Sequence, residues 1–412
     1  MRAGEYFLSA FDTFRAQPIR TVLTLVSIAI GIVAIVAAGG AATALEQALT
    51  TEITASGAYS LVIQKQPSII TSGEQWRRYM RRRPISYGQA SEYKRRIEGS
   101  GALVSLFSAA PSQTVRAGTE HTDPDVTLVG SDEAFFPMRN YQLAAGRPLV
   151  GEDIFYARMV AVIGNDVRQD LFPADTDPVG KEIQVQNQRF TIVGVLARKG
   201  GIFGQSQDNM VIIPIPVFVR AYAEEWNYSV SIFVRARNQA HLEHVFDESI
   251  GILRSIRNVR PGEENDFEIE ELASIANQLG TFLRFVGLFG AFCGGIALVA
   301  AGVGIMNIML ISVRERTREI GVRKAVGATV RSILVQFLVE AIVLCQIGAL
   351  GGIVLGMLFA LLLSHLAGIE LTIPIGWVVA SIGLCTLVGV GFGAYPALKA
   401  ARLNPIEALR YE

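Results

Sequence analysis

The sequence is poor in cysteine and has no phosphate-binding loop. Its three cysteines, Cys293, Cys345 and Cys385, all lie in long apolar runs, so the more polar remainder of the 412-residue chain has no disulfide framework. That remainder must be stabilised by an ordinary hydrophobic core, for which roughly 200 residues suffice. No G-x-x-x-x-G-K-[S/T] string occurs, and this string supplies the groups that hold nucleotide phosphates. We therefore predict that the chain alone neither binds nor hydrolyses ATP.

Residues that carry out catalysis or bind metal are also scarce. Residues 49–278 show no nucleophile–base motif, no zinc-ligand spacing and no glycine-rich phosphate loop. His241 and His244 are three apart on a predicted helix, as two metal ligands can be, but no cysteine and no third ligand lies nearby. A pair of surface histidines is the favoured interpretation. We predict a chain that is not an enzyme, with no catalytic residue, no metal site and no cofactor of its own.

The sequence does contain long apolar runs. The chain is 50% hydrophobic and 18% charged, with 37 basic and 37 acidic residues and a mean hydropathy of +0.37. It is too apolar for a soluble domain of this size and too charged for a chain that lies wholly in a membrane. Four runs, residues 21–45, 281–312, 332–364 and 374–398, exceed the roughly 20 residues that cross a bilayer. The predicted fold class is an integral membrane protein with four transmembrane helices and a large α+β extracytoplasmic domain inserted between the first and second spans.

These runs divide the chain into nine segments. Residues 1–17 have helical periodicity with an aromatic face, which predicts an amphipathic helix in the membrane interface; a helix packed on the protein's own surface is the alternative. The other segments are the first span (18–48), an extracytoplasmic domain with two lobes expected (49–278), the second span with a stalk (279–312), a charged cytoplasmic connector (313–331), the third span (332–365), a short outer loop (366–373), the fourth span (374–398) and a cytoplasmic tail (399–412).

Basic residues at the ends of the apolar runs predict the orientation of the chain. Membrane proteins carry an excess of lysine and arginine on their cytoplasmic flanks. The flanks before the first span, between the second and third, and after the fourth carry such residues, whereas residues 366–373 have Glu370 and no basic residue. We expect a multi-pass protein of the cell (inner) membrane, in contact with lipid, with both termini in the cytoplasm and residues 49–278 outside.

Residues 49–278 contain alternating strand and helix signals. Segments that are rich in β-branched residues and bounded by turn formers predict strands. They are residues 60–64, 126–130, 159–164, 210–215 and 229–237, with a hairpin over 182–198 that turns near Asn187. Helices are predicted over residues 86–98, 166–171, 217–225 and 238–257. Strands mixed with helices indicate an α+β domain.

The connector (residues 313–331) is richer than a membrane flank needs to be. Acidic and apolar residues accompany its six basic residues. Glu319 and Arg323 are four apart, as are Arg314 and Arg318, so each pair is predicted to share a helix face. Two interpretations stay open, an ordinary positively charged flank or a surface on which a partner docks.

Glycine is predicted to have two roles in the membrane part of the chain. Gly321 and Gly327 are expected to interrupt the connector helix and to permit bends. In the three C-terminal spans, small residues four apart are expected to let helices approach closely. These residues are Gly290 and Gly294, then Gly348, Gly352 and Gly356, then Gly389 and Gly393.

Two charged features have less obvious roles. Residues 76–83 alternate arginine with aromatic residues, which is typical of a solvated helix face or, as the alternative, of contact with anionic lipid or an acidic partner. Nucleic acid is not an expected partner outside the cell membrane. Glu340 lies within the third span, where an acid is often functional; it could also reach the interface or pair with an arginine of the connector.

Three stretches resemble one known family. The connector string ERTREIGVRKAVGAT and the final GAYPALKAARLNPIEALRYE (Gly393–Glu412) resemble the characteristic segments of MacB-like, FtsX-type ABC transporter permeases. The strings DPVGKEIQVQNQRFTIVGVL (Asp177–Leu196) and GRPLVGEDI (Gly146–Ile154) are similar to that family's extracytoplasmic domain. The resemblance runs along the whole chain in order.

The resemblance implies a permease subunit that works as a homodimer or as a heterodimer with a paralogous permease. Separate ABC ATPase subunits would bind the ATP and magnesium, and movement of the helices would be transmitted to the outer domain, with export as the outcome. The connector would hold the coupling helix. The residues of this segment that the resemblance marks are Arg314, Glu315, Arg318, Glu319, Gly321, Arg323, Lys324 and Gly327, and those of the C-terminal motif are Pro396, Lys399 and Pro405.

A regulatory role is the alternative function. The FtsX type uses the same architecture to control an extracytoplasmic partner such as a cell-wall hydrolase, whereas the MacB type works with a periplasmic adaptor. The insert of about 230 residues is nearer in size to that of MacB. MacB carries its ATPase on the same chain, and the missing phosphate loop here weakens any transfer of its substrate class. A membrane-bound enzyme is the least supported reading.

Overall fold

The computed structural model describes residues 18–57, 59–70, 72–173, 175–202, 205–222, 228–367 and 373–409. The chain forms two compact units, a membrane unit (Met1–Glu46 with Thr281–Glu412) and an outer unit (Gln47–Gly280). The helix predicted for residues 1–17, most of the loop 366–373 and the end of the tail lie outside the described residues.

The helices and strands are numbered in chain order. The helices are α1 (Pro18–Ser56), α2 (Gly73–Met80), α3 (Tyr87–Ile97), α4 (Phe135–Met138), α5 (Gly151–Phe155), α6 (Asn165–Leu171), α7 (Ile215–Tyr222), α8 (Gln239–Arg257), α9 (Leu272–Glu315), α10 (Thr317–Ala325), α11 (Val330–Ala367), α12 (Ile375–Ala401) and α13 (Pro405–Leu409). The strands are β1 (Ser60–Gln64), β2 (Leu103–Gln113), β3 (Val115–Ala117), β4 (Glu120–His121), β5 (Val126–Ser131), β6 (Leu143–Gly146), β7 (Val160–Ile163), β8 (Glu182–Val185), β9 (Gln188–Leu196), β10 (Gly201–Ile202), β11 (Gln205–Ser206), β12 (Met210–Pro214), β13 (Ser231–Arg235) and β14 (Glu268–Glu271).

Four helices of the described chain, α1, α9, α11 and α12, are long and apolar enough to cross a membrane, which confirms the predicted spans. Helix α1 has 39 residues and α9 has 44. At 1.5 Å per residue these helices are about 58 and 66 Å long, roughly twice the thickness of the hydrocarbon layer. Both therefore continue well past what a span requires.

The glycines of the three C-terminal spans lie where helices touch, as predicted. A Cβ added to Gly352 would lie 2.7 Å from the Ala29 carbonyl oxygen, and one added to Gly393 would lie 2.6 Å from the Ala341 Cβ. By contrast, a Cβ on Gly351 would have no neighbour within 4 Å. The spans are therefore packed so closely that only a hydrogen fits at these contacts, which is how small residues serve helix association in lipid.

The outer unit is built on one mixed sheet of twelve strands. Their order is β14-β1-β13-β2-β5-β12-β7-β9-β8-β3-β4, with β6 paired to β9; β5–β12 and β7–β9 are parallel and the other pairs antiparallel. This sheet, with helices α3 and α8 packed on it, confirms the α+β class. Strand β1 pairs with β14, so the first and last strands of the insert are neighbours; β1 begins four residues after the end of α1, and β14 is followed at once by α9.

The predicted hairpin is confirmed as β8 and β9, with Val185 opposite Gln188 and Gln186 in the turn at φ 53°. Strands β2, β3, β4, β6, β10, β11 and β14 were not predicted. Two main hydrophobic cores lie along the sheet, one centred on Tyr93 and Leu253 and one on Phe190 and Phe218. A single path of paired strands joins them, and the division into two lobes stays a prediction.

Candidate docking site around the connector

The connector forms a short helix, α10, that is separate from the span before it. Helix α9 ends at Glu315, and Arg316 at φ −97°, ψ 14° leaves the helical conformation. The Thr317 hydroxyl donates to the carbonyl oxygens of Val313 (3.0 Å) and Arg314 (2.8 Å), which would otherwise lack partners at a helix end. Because Arg314 and Arg318 belong to different helices, the prediction that they share one helix face is wrong.

The two connector glycines have different roles. Gly327 follows α10 at φ 102°, its amide donates to the Lys324 carbonyl (3.1 Å), and the next amide donates to the Arg323 carbonyl (3.0 Å). This pattern is a Schellman C-cap, so the predicted bend at Gly327 is confirmed. The predicted bend at Gly321 is wrong. Gly321 is buried in the middle of α10, where a Cβ would lie 2.8 Å from the Ala408 Cβ.

Polar side chains fasten α10 to its neighbours. The predicted pair of Glu319 and Arg323 is present, with their charged atoms 2.5 Å apart, and Arg323 also donates to the Gln336 side chain of α11 at 2.9 Å. On the other side, the Lys324 ammonium donates to the Leu403 carbonyl at 2.7 Å, in the turn before α13. Helix α10 is therefore held between the third span and the C-terminal segment.

Glu340 lies ten residues into α11 with a side chain 1% exposed, and the Arg316 guanidinium lies 3.4 Å from its carboxylate. Of the readings open for Glu340, pairing with an arginine of the connector is the one observed. The arginine is the residue at which α9 gives way to α10.

The C-terminal motif meets the connector in space. Pro396 is buried inside α12, Lys399 is exposed near its end, and Pro405 is the first residue of α13. Proline suits that first position because the amide it lacks would have no partner there. Contact between α13 and α10 through Ala408 and Gly321 was missed by sequence reasoning. Both residues are small, but nothing in the sequence pairs them.

An exposed surface remains on α10, α13 and the end of α9. Its apolar residues are Val322 (47% exposed), Val326 (85%) and Ile406 (71%), and its exposed charged residues are Arg314, Glu315 and Arg318. Exposed apolar side chains together with charged ones are typical of a protein interaction site. Within the described ranges no group of three histidine, cysteine or acidic residues could hold a metal ion.

The other candidate residues take structural positions in the outer unit. Helix α2 carries residues 76–80 of the arginine-rich stretch, and two arginines of the stretch pair with acids, Arg78 with Glu264 and Arg82 with Glu268. The Nδ1 atom of His241 accepts a hydrogen bond from the Arg237 amide at 3.2 Å, and its Nε2 lies 3.0 Å from the Ser100 carbonyl. These contacts fasten the start of α8 to a neighbouring loop.

Comparison with known proteins matches most of the chain. Residues 21–249 match the family described as MacB-like periplasmic core domain, and residues 291–405 match the family described as FtsX-like permease C-terminal. The chain is 33% identical to the macrolide export ATP-binding/permease protein MacB of Bdellovibrio bacteriovorus, over 99% of this chain and 62% of that protein. It thus spans about three fifths of that relative's length.

Two proteins of Bacillus subtilis are similar over nearly their whole length. The chain is 30% identical to the ABC transporter permease YvrN, over 99% of this chain and 100% of that protein. It is 29% identical to the ABC transporter permease YknZ, over 98% of both.

Proposed function

Because the chain belongs to the family of MacB-like, FtsX-type ABC transporter permeases, we propose that it is a permease subunit driven by separate ABC ATPase subunits. Two copies, or one copy and a paralogous permease, would provide two connectors for an ATPase dimer. The similarity to YvrN and YknZ over their full length supports a permease without an ATPase of its own. ATP and magnesium would be bound by the partner.

The observation that carries this proposal is the exposed surface around α10. Val326 is 85% exposed at the end of a helix that Gln336 and the Leu403 carbonyl hold in place. An apolar side chain presented on a fastened helix is preorganised for a partner, because little conformational entropy is lost on binding. We infer that the nucleotide-binding domain of the ATPase docks here, and that a positive flank alone would not require this geometry.

Transmission to the outer unit would use the two longest helices. Helix α9 leads without a break from strand β14 to the connector, and α1 leads to the start of β1. A rigid helix passes displacement along its axis, so movement at the connector would reach the paired strands β1 and β14. The spans bury few charged side chains along their described length, which favours mechanical transmission, with export as its outcome, over passage of a polar substrate between them.

We propose that the connector and both termini are cytoplasmic and that the outer unit is extracytoplasmic, which labelling with an impermeant maleimide tests. On a cysteine-free background, single cysteines at exposed Glu120 and Asn187 should react in intact cells, and one at exposed Thr329 only after lysis. Glu120 is used in place of the nearby Thr122, because Thr122 is only 2% exposed and a cysteine there would react poorly. Labelling at Thr329 from outside would contradict the proposed orientation.

The docking role is tested by reversing one charge on α10. Glu319→Lys breaks the pair with Arg323 within α10 and presents a cation to the partner in place of an anion, so the amount of ATPase that co-purifies should fall by roughly ten-fold or more, the order expected when like charges are placed together at an interface. Arg318→Lys should have a smaller effect because the planar fork is lost but the charge is kept. Expression and membrane insertion should not change.

A matched control separates docking from membrane topology. Ser332→Lys adds the same kind of charge at an exposed position at the start of α11, outside α10. A topology signal depends on the total number of basic residues. If the connector were only such a signal, Glu319→Lys and Ser332→Lys would co-purify the same amount of ATPase. Full co-purification of the ATPase with Glu319→Lys and also with Gly321→Val would remove the basis for the docking role.

A further inference from the structure

Among the described residues of the membrane unit, Glu340 is the one acid with a buried side chain. Burying a carboxylate is unfavourable unless an opposite charge compensates it, and a leucine or glutamine would fill the same space at lower cost. Its partner Arg316 comes from a different helix element and lies at the junction of α9 and α10. This placement calls for an explanation beyond helix packing.

The two ends of α10 are attached differently. Toward α11 the attachment is made by side chains and a cap, namely the Arg316–Glu340 pair, the Arg323–Gln336 hydrogen bond and the turn at Gly327. Toward α9 the helix is interrupted at Arg316, and the Thr317 hydroxyl takes carbonyl groups that amides would hold in an unbroken helix. A break whose backbone bonds are replaced by a side chain is a recognised cause of helix bending.

We propose that the Arg316–Glu340 pair is a latch that makes the connector helix and the third span move as one body, while the second span pivots against them at Arg316. This inference rests on the proposed docking of an ATPase on α10. A push on α10 then reaches α11 directly, because separating the two helices would take the Arg316 charge away from the buried Glu340 carboxylate. The angle of α9, which leads to strand β14, changes instead. Glu340 and Arg316 are thus positioning residues that direct movement from α10 to α11.

The latch can be tested first in the chain alone, without nucleotide. Spin labels at exposed Val322 on α10 and Val335 on α11 report the distance across the latch. In the parent protein in nanodiscs this distance should form one narrow population. Glu340→Gln keeps the shape and removes the charge, so a second, longer population should appear. Arg316→Gln should have the same effect, and the exchange Arg316→Glu with Glu340→Arg should restore part of the narrow population.

The matched control is Glu46→Gln. Glu46 pairs with Arg284 at 2.6 Å between α1 and α9, so the chemistry of the change is the same, but this pair is exposed. It should leave the Val322–Val335 distance unchanged. A loss of thermal stability in Glu340→Gln without any change in that distance would mean that the pair only stabilises the fold, and the latch would be rejected.

The pivot is tested in the complex with the co-purified ATPase, with and without ATP and magnesium. Labels at Val303 on α9 and Val335 on α11, both away from the docking surface, should change their distance with nucleotide, because the second span pivots against the latched pair of helices. In Glu340→Gln this shift should be largely lost. An unchanged Val303–Val335 distance in a parent complex that binds ATPase and nucleotide would overturn the latch. If no ATPase co-purifies with the parent, the proposed function fails, and the measurements on the chain alone still decide whether the latch exists.

Discussion

The outer unit and the membrane unit bury charge to very different extents. In the outer unit Asp153, with no exposed surface, lies 2.6 Å from Arg147 and 3.4 Å from Arg158, and Arg257, 2% exposed, lies 2.7 Å from Asp266. In the described part of the membrane unit, Glu340 is the buried acid, and small residues at helix contacts do most of the packing. The two units therefore use different means of specifying their structure.

The difference follows from the surroundings of each unit. In water, burying the apolar surface of a sheet lowers the free energy of the folded protein, and buried ion pairs can then define which loops meet. In lipid, apolar surface gains little from contact with other apolar surface, so helices associate where their backbones can approach closely. The comparison predicts that the membrane unit is destabilised most by added side-chain atoms at helix contacts. The outer unit should be destabilised most by removal of a buried charge.

The largest effect should come from Gly352→Val in α11. Its Cβ would lie 2.7 Å from both the Ala29 carbonyl oxygen and the Ile32 Cβ of the first span, and neither backbone can move without separating the helices. We expect a loss of more than about 3 kcal/mol of stability, beyond the usual cost of overpacking. This loss of stability should appear as a lower yield of monodisperse protein after solubilisation.

The neighbouring glycine provides the control for that prediction. Gly351 is exposed and a Cβ there meets nothing within 4 Å, so Gly351→Val should behave like the parent to within about 1 kcal/mol. Equal yields for the two variants would show that close helix approach is not what holds the membrane unit together.

A smaller effect is expected from Asp153→Asn in the outer unit. The carboxylate accepts hydrogen bonds from both terminal Arg147 nitrogens and from the Val150 amide, and asparagine would remove the buried negative charge that faces Arg147 and Arg158. Removing one member of a buried pair costs about 3–5 kcal/mol, and partial exposure of the two arginines reduces this to roughly 2–3 kcal/mol. The unfolding temperature of the outer unit should fall by roughly 5–10 °C. Glu152→Gln, at an exposed acid that also pairs with Arg158, should lower it by much less.

The pH dependence of the same unit is a further prediction. Burial alone would raise the pKa of Asp153, but the Arg147 hydrogen bonds, the Val150 amide and the two arginine charges outweigh it, and the pKa is lowered from 3.8. A carboxylate with a lowered pKa adds stability above its ordinary pKa, and this stability is lost as the pH falls through the folded-state value. The difference in unfolding temperature between the parent and Asp153→Asn should therefore be constant near neutral pH and shrink below about pH 4. A difference that grows on acidification would contradict this assignment.

The sequence predicted the elements whose signal is local. Four spans follow from run length, and strands β1, β5, β7, β12 and β13 follow from β-branched residues between turns. Strand β2 was missed because its second half, rich in serine and alanine with Pro111, has few of those residues, and its place between β13 and β5 is decided by partners far along the chain. The contact of α10 with α13 was missed because it, too, joins residues that are far apart along the chain.

Glycine shows this limit most directly. Gly321 and Gly327 are six residues apart and were given one role, a bend, yet one is needed for space and the other for its backbone angle. A glycine in a sequence does not reveal which of the two applies. The last and smallest prediction separates them by substituting alanine at each position.

Gly327→Ala and Gly321→Ala should each weaken ATPase binding about five-fold, the effect of roughly 1 kcal/mol, but for different reasons. At Gly327 the added methyl group has no neighbour within 4 Å, and the cost is that alanine must adopt φ 102°. At Gly321 the angle is helical, and the cost is the 2.8 Å approach to the Ala408 Cβ. A second change, Ala408→Gly, removes that contact, so it should restore binding to Gly321→Ala and do nothing for Gly327→Ala. Rescue of both variants, or of neither, would mean that the contact between α10 and α13 does not position the docking surface.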